Sequence, residues 1–105
     1  MLKPVPIKRE PVLLYNDVKK YIEEKYNIDF YNYYCKIDNK KHNFWHFLVK
    51  DCYPYLNNGD TFIIIFDKED MEENPNWARE IFSLIEKEFK EYIDKDNALE
   101  LMVIW

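Results

Sequence analysis

The segment 62–66 constrains the fold more than any other part of this chain. It reads Phe-Ile-Ile-Ile-Phe, a run of β-branched and aromatic residues that favours extended backbone. The turn-forming residues Asn57, Asn58, Gly59 and Asp60 precede it. Because a strand of this composition is apolar on both faces, we expect strand 61–66 to lie in the centre of a sheet.

A helix and a second strand are predicted after this segment. Apolar residues from Trp77 to Ile93 recur at helical spacing, with Asn74 as the expected N-cap and Pro75 as the first helical residue. Apolar residues then alternate in a last strand, 98–105. A strand, a crossover helix and a strand form a right-handed parallel unit, so we expect strands 61–66 and 98–105 to be parallel neighbours.

The N-terminal half predicts two further helices. One has an apolar stripe from Leu14 onward, with Asn16 or Asp17 as its N-cap, and stops at Asn27. The other occupies residues 42–53 and ends before Pro54. Residues 29–41 are rich in aromatic side chains but have no regular period, which leaves a loop or a short strand open. Three of the five prolines fall within residues 1–11, beside basic residues, and predict an extended basic arm: Lys3, Lys8 and Arg9.

These elements predict one α+β (or small α/β) domain covering residues 1–105. Its small sheet, with strands 61–66 and 98–105, would pack in two layers against the long helix and the two N-terminal-half helices. A single glycine argues against phosphate-cradling loops, and no apolar run is long enough to cross a membrane. The two cysteines, without CxxC spacing, suggest reduced thiols in the cytosol.

The charge is divided between the two halves of the chain. Residues 57–105 hold 13 acidic and 5 basic residues, whereas residues 1–56 hold 10 basic and 7 acidic residues. Carboxylates on a rigid scaffold steer a basic partner, although an ordinary solvated helix face remains the alternative. We predict that the partner-binding residues are an acidic flank with two exposed aromatic anchors: Asp67, Glu69, Asp70, Glu72, Glu73, Glu86, Glu88, Glu91, Tyr31 and Tyr33.

Two other kinds of site are open. His42 and His46 lie four residues apart on a predicted helix, and Cys35, Asp38 or Cys52 could complete a metal site in a small metal-dependent enzyme. Their spacing matches no zinc module, so we expect His42 in solvent, His46 at a boundary, and neither metal nor cofactor. Catalytic residues are not predicted.

The region 36–45 mixes positive charge with rings that could stack on bases. This pattern is typical of single-stranded nucleic-acid binding, with the basic arm as a second contact. The alternative is that the rings belong to the core and the lysines to a solvated rim, as the acidic composition favours. The residues concerned are Lys36, Lys40, Lys41, Phe44 and Trp45, with the neighbouring rings of Tyr31, Tyr33 and Tyr34.

Several short strings, spread from residue 18 to the C-terminus, resemble small accessory proteins carried by bacteriophages and prophages. They are Tyr-Ile-Glu-Glu-Lys-Tyr at 21–26, Phe-Trp-His-Phe-Leu at 44–48, Asn-Gly at 58–59, Pro-Asn-Trp at 75–77 and Val-Ile-Trp at 103–105. The resemblance implies a non-enzymatic protein of the bacterial host cytosol that binds and inhibits a host protein. A defence nuclease, such as a CRISPR effector, is one such target. The resemblance transfers no site residues.

Overall fold

A computed structural model describes residues 2–7 and 12–105. Its helices and strands, in chain order, are β1 (Val12–Leu14), α1 (Tyr15–Tyr26), β2 (Tyr33–Cys35), β3 (Lys40–His42), α2 (Phe44–Phe47), β4 (Thr61–Ile65), α3 (Lys68–Glu72), α4 (Asn76–Glu88) and β5 (Ala98–Met102). A π-helical turn (Leu48–Cys52) extends α2, and a 3-10 turn (Lys90–Tyr92) follows α4.

The main sheet has the order β1-β5-β4 and is mixed. β4 and β5 are neighbours, as expected, but they are antiparallel, with Ile63 opposite Glu100. The predicted parallel pairing is therefore wrong: the connection contains a second helix, α3, and a 3-10 turn, so it is not a single crossover helix. The predicted central position of strand 61–66 is also wrong. β5 is central, and its parallel partner is the short N-terminal strand β1.

The helices cover one face of this sheet. Leu13 of β1, Ile64 of β4 and Leu101 of β5 are at most 1% exposed and belong to the same buried cluster as Ile22 of α1 and Ile85 of α4. The fold is therefore α+β, as the sequence predicts. The opposite sheet face is more open, because alternate residues of β4 and β5 lie there only partly covered.

Helix boundaries follow local chemistry. α1 ends before Asn27, whose left-handed backbone (φ 55°) confirms the predicted stop. α4 begins at Asn76, one residue later than predicted, with extended Pro75 at the N-cap position. The Asn74 side chain instead donates to the carbonyl of Asp70, 3.4 Å away. α4 also ends earlier than predicted, at Glu88.

The other predicted boundaries need correction as well. The helix predicted over 42–53 begins only after Asn43, whose side chain accepts a hydrogen bond from the backbone N–H of His46. The segment 29–41 contains β2, which forms an antiparallel hairpin with β3. The last strand ends at Met102 rather than at residue 105.

The described part of the basic arm, residues 2–7, has no regular secondary structure and lies beside α1. The ammonium of Lys3 is 2.5 Å from a carboxylate oxygen of Glu91. The predicted contributions of Lys8 and Arg9 fall outside the described residues. None of the helices in the described ranges is long and apolar enough to span a bilayer.

Candidate protein-interaction site

The acidic connector folds into the short helix α3. Asp67 stands at its N-cap position, and the Asn97 side chain donates to the Asp67 carboxylate at 2.7 Å. The four carboxylates that follow are all exposed to solvent: Glu69, Asp70, Glu72 and Glu73. The only salt bridge to them among the described residues is loose, with 3.9 Å between Lys68 and Glu72. α3 therefore presents concentrated, largely uncompensated negative charge.

The rest of the predicted acidic flank does not join α3 as one free surface. Glu86 is partly buried, and Glu91 is exposed but bridged to Lys3. Glu88 is only 7% exposed, so its predicted place on a solvated helix face is wrong. The physical reason is that its side of α4 packs against α1.

Glu88 has a structural role at that contact. One carboxylate oxygen accepts a hydrogen bond from the Lys25 ammonium at 2.8 Å, and the other accepts one from the Tyr26 hydroxyl. The hydrogen bond from Lys25 and, to a smaller extent, that from Tyr26 lower the pKa of Glu88, because both favour the charged carboxylate. The residue thus links α1 to α4.

The open edge of the sheet is a feature that the sequence does not reveal. The backbone N–H of Phe66 donates to Asn97 and that of Val103 to the carbonyl of Asp60, which sets the alternation of the antiparallel ladder. In such a ladder the residues between these pairs point their N–H and C=O groups away from the partner strand. On β4 these are Thr61, Ile63 and Ile65, which we call the β4 edge.

One group of the β4 edge has a partner. The Tyr53 hydroxyl donates to the Ile63 carbonyl at 2.8 Å, while Ile63 itself is 47% exposed on the open sheet face. Among the described residues, the remaining outward groups of the edge have no hydrogen-bonding partner. An edge of this kind is a template for pairing with another chain.

A groove of about 350 Å³ lies alongside the β4 edge, between Tyr53 and α3, with Phe82 of α4 among its lining residues. Asp70 and Glu73 are the charged residues among the described residues that line it. The acidic helix and the unpaired edge therefore belong to one continuous site.

The two predicted aromatic anchors differ in exposure. Tyr31 is 48% exposed, and the Lys19 ammonium lies 5.0 Å from its ring centre. Tyr33 is partly buried, and its hydroxyl donates to Glu80 of α4 at 2.5 Å. Burial is the larger cause of a raised pKa at the Tyr33 hydroxyl, and this hydrogen bond is the next. Tyr33 thus fastens the β2-β3 hairpin to α4, and Tyr31 is the more accessible ring.

The geometry assumed for a metal site is absent. His42 lies on β3 rather than on a helix with His46, and its ring stacks on Trp77 with 4.5 Å between centres. Its Nε2 is 2.6 Å from Asp38. Burial tends to raise the pKa of the Asp38 carboxyl, but hydrogen bonds from His42 and from the Lys40 backbone outweigh it, so the pKa of Asp38 is lowered. Within residues 2–7 and 12–105, no three His, Cys, Asp or Glu side chains are grouped to hold a metal ion.

The two cysteines are separate free thiols. Cys35 is buried, with its sulfur 3.7 Å from a Glu80 oxygen. Burial raises the pKa of Cys52 to about 11, so this thiol stays protonated at neutral pH. The environment of Cys52 is therefore not that of an activated nucleophile.

The candidate nucleic-acid region is only partly available. Lys36, Lys40 and Lys41 are exposed on the hairpin, together with the ring of Tyr34. Phe44, in contrast, is fully buried, and Trp45 packs against Tyr15 and Trp105. Two of the rings predicted to stack on bases therefore serve the core or its margin.

The chain matches no family model, no curated protein and no solved structure.

Proposed function

We propose that this protein acts by binding a basic surface of another protein through α3 and the adjoining β4 edge, without catalysing a reaction. The observation that carries the proposal is the joining of exposed, largely uncompensated carboxylates on α3 to an open groove and an unpaired strand edge. Negative potential at such a site accelerates encounter with a basic partner, and the apolar surface beside it holds the complex.

The biological setting is part of the same proposal. The resemblance to phage and prophage accessory proteins supports a role in the bacterial host cytosol, in which binding inhibits a host protein such as a defence nuclease.

Charge reversal on α3 tests the proposal. Wild-type protein immobilised on a resin is expected to retain one or more host proteins from a bacterial lysate at low salt. The double variant Glu69→Lys, Glu72→Lys should slow association of the retained protein by about tenfold, because steering depends on local charge. Association rates are then measured with the purified partner between low and physiological ionic strength.

A matched control separates local from overall charge. The variant Glu24→Lys, Asp96→Lys replaces exposed carboxylates on α1 and in the turn before β5. Both this variant and the α3 variant change the net charge by +4, from −5 to −1. We expect it to retain most of the wild-type association rate. Equal loss in both variants, or no salt dependence, would contradict docking through α3.

Nucleic-acid binding is the second candidate, because three exposed lysines share the hairpin region with the exposed rings of Tyr31 and Tyr34. It predicts direct binding of labelled oligonucleotides that Lys40→Glu, Lys41→Glu abolishes and that the α3 variant leaves unchanged or strengthens. Micromolar binding with that pattern would favour this function over the protein-binding one.

A further inference from the structure

We propose that the partner supplies an extended segment that adds to the sheet as a new strand beside β4, and that this segment alternates basic and β-branched apolar residues. This inference rests on the proposed function, since it names the chemistry of the partner that the same site selects. Strand addition to an exposed edge is an established mode of peptide recognition, in which main-chain hydrogen bonds supply affinity and side-chain pockets supply specificity.

The hydrogen-bonding capacity lies in the backbone of β4. The N–H groups of Thr61, Ile63 and Ile65 and the carbonyls of Thr61 and Ile65 face outward from the ladder with β5, as its register requires. The Ile63 carbonyl already accepts one hydrogen bond, from the Tyr53 hydroxyl. A carbonyl oxygen can accept two hydrogen bonds, so it can accept a second from a partner strand. A partner strand opposite these residues can therefore pair without breaking a bond to β5.

The two faces of the new strand would meet different surroundings. Ile64 points into the core on the helical side, where the groove is lined by Asp70 and Glu73, whereas Ile63 points to the open sheet face. Side chains of a strand alternate between faces. Every second side chain of the partner therefore meets the carboxylates of the groove and should be Lys or Arg, whereas the others lie beside the exposed side chain of Ile63 and should be apolar.

Charge complementarity decides the occupant. A second copy of this chain would bring another α3 to the same edge, and each chain carries a net charge of −5. A basic segment of a different protein instead relieves the repulsion among the carboxylates of α3. We therefore assign the edge to a partner strand rather than to self-association.

The test uses isotope-labelled full-length protein and a short, terminally blocked peptide of alternating lysine and valine. Titration followed by NMR should saturate, with the largest amide shifts at Thr61, Ile63 and Ile65, and the exchange of these amide hydrogens should slow by about tenfold or more. A glutamate-valine peptide should bind at least about tenfold more weakly, because it lacks the positive charge. A lysine-valine peptide methylated on alternate backbone nitrogens should also bind at least about tenfold more weakly, because it lacks the backbone N–H donors.

Variants of the protein locate the site. Ile63→Pro removes one outward N–H from an edge position that proline tolerates and should weaken binding by about tenfold, whereas Ile63→Thr keeps the N–H and should bind nearly as wild type. Asp70→Lys, Glu73→Lys should also weaken binding by about tenfold, while Glu24→Lys, Asp96→Lys should not.

Absence of saturable binding at millimolar peptide, shifts centred elsewhere, or equal binding of the methylated peptide would overturn strand addition. So would a self-associated protein whose dimer interface is β4. The two proposals fail separately. If a host partner requires the α3 carboxylates but binds Ile63→Pro as well as wild type, protein binding through α3 stands and strand addition is rejected. If the peptide binds at β4 but no host protein binds in an α3-dependent way, strand addition stands and the proposed function is rejected.

Discussion

Tyr15 and Tyr53 illustrate how differently one residue type can be used. Tyr15 is 1% exposed and packs against Trp45 and Phe62, yet its hydroxyl has no hydrogen-bonding partner in the described part of the chain. Tyr53 also packs on Phe62, with 4.7 Å between ring centres, but its hydroxyl donates to the Ile63 carbonyl. An unpaired buried hydroxyl costs free energy that a paired one does not.

The two Tyr→Phe substitutions should therefore act in opposite directions. Tyr15→Phe keeps the ring contacts and removes the unpaired group, so it should raise the free energy of unfolding by about 1 kcal/mol. Tyr53→Phe loses a hydrogen bond and should lower it by about 1 kcal/mol. Urea unfolding of both variants beside the wild type provides the measurement. A destabilised Tyr15→Phe protein would mean that its hydroxyl is satisfied in solution.

Among elements, the two long helices α1 and α4 are the easiest to predict, whereas the short helix α3 was not predicted. The apolar stripes of α1 and α4 depend on spacing within one segment, and Asn27 carried its own stop signal. Strand position depends instead on what covers each face and edge. The run 62–66 is apolar on both faces, yet Ile63 is 47% exposed, because local sequence does not report that the outer face is open.

Short elements and tertiary pairings escaped prediction for similar reasons. β1 has only three residues, and its extended shape is held by pairing with β5, nearly ninety positions away in the chain. The β2-β3 hairpin lacks an alternating pattern, and its turn relies on Asn39 with φ 58°. Within the candidate site, the acidic connector was visible in the sequence, whereas the β4 edge and its groove exist only once β5 has paired with the opposite side of β4.

The link between α1 and α4 makes stability depend on pH. Because the folded state lowers the pKa of Glu88 below its ordinary value of 4.5, its contribution is complete above that value and is lost as the pH falls through the folded pKa. Glu88→Gln should cost about 1 kcal/mol near neutral pH, and the difference from wild type should shrink as the pH falls below 4.5.

Glu86→Gln is the matched control on the same helix. Glu86 has no hydrogen-bonding partner among the described residues, so Glu86→Gln should change the free energy of unfolding by no more than about 0.5 kcal/mol near neutral pH. The measurement is urea unfolding across the acidic range. A pH-independent loss for Glu88→Gln would show that the carboxylate is not preferentially charged in the folded protein.

At the scale of the whole molecule, the two oppositely charged halves of the chain are interleaved. Lys3 meets Glu91 and Lys25 meets Glu88 across the division, and the Asn16 side chain donates to the carbonyl of Ile104. The two salt bridges compensate carboxylates of α4 and of the 3-10 turn but leave those of α3. The charge division seen in the sequence therefore persists at α3, beside the open edge.

This interleaving should make unfolding a single transition. β1 from the first half completes a sheet with β5 from the second, and Ile85 lies fully buried in a cluster drawn from both halves. Ile85→Ala should lower the free energy of unfolding by about 2 to 5 kcal/mol, the range for a large-to-small core change. The loss should be the same when unfolding is followed by far-UV circular dichroism, which reports helices of both halves, and by tryptophan fluorescence, which reports Trp45, Trp77 and Trp105.

Glu24→Ala on the exposed face of α1 serves as the control and should shift neither curve by more than about 0.5 kcal/mol. If the two signals separated in Ile85→Ala, with one half of the chain unfolding first, the halves would be independent units and the single shared core would be disproved.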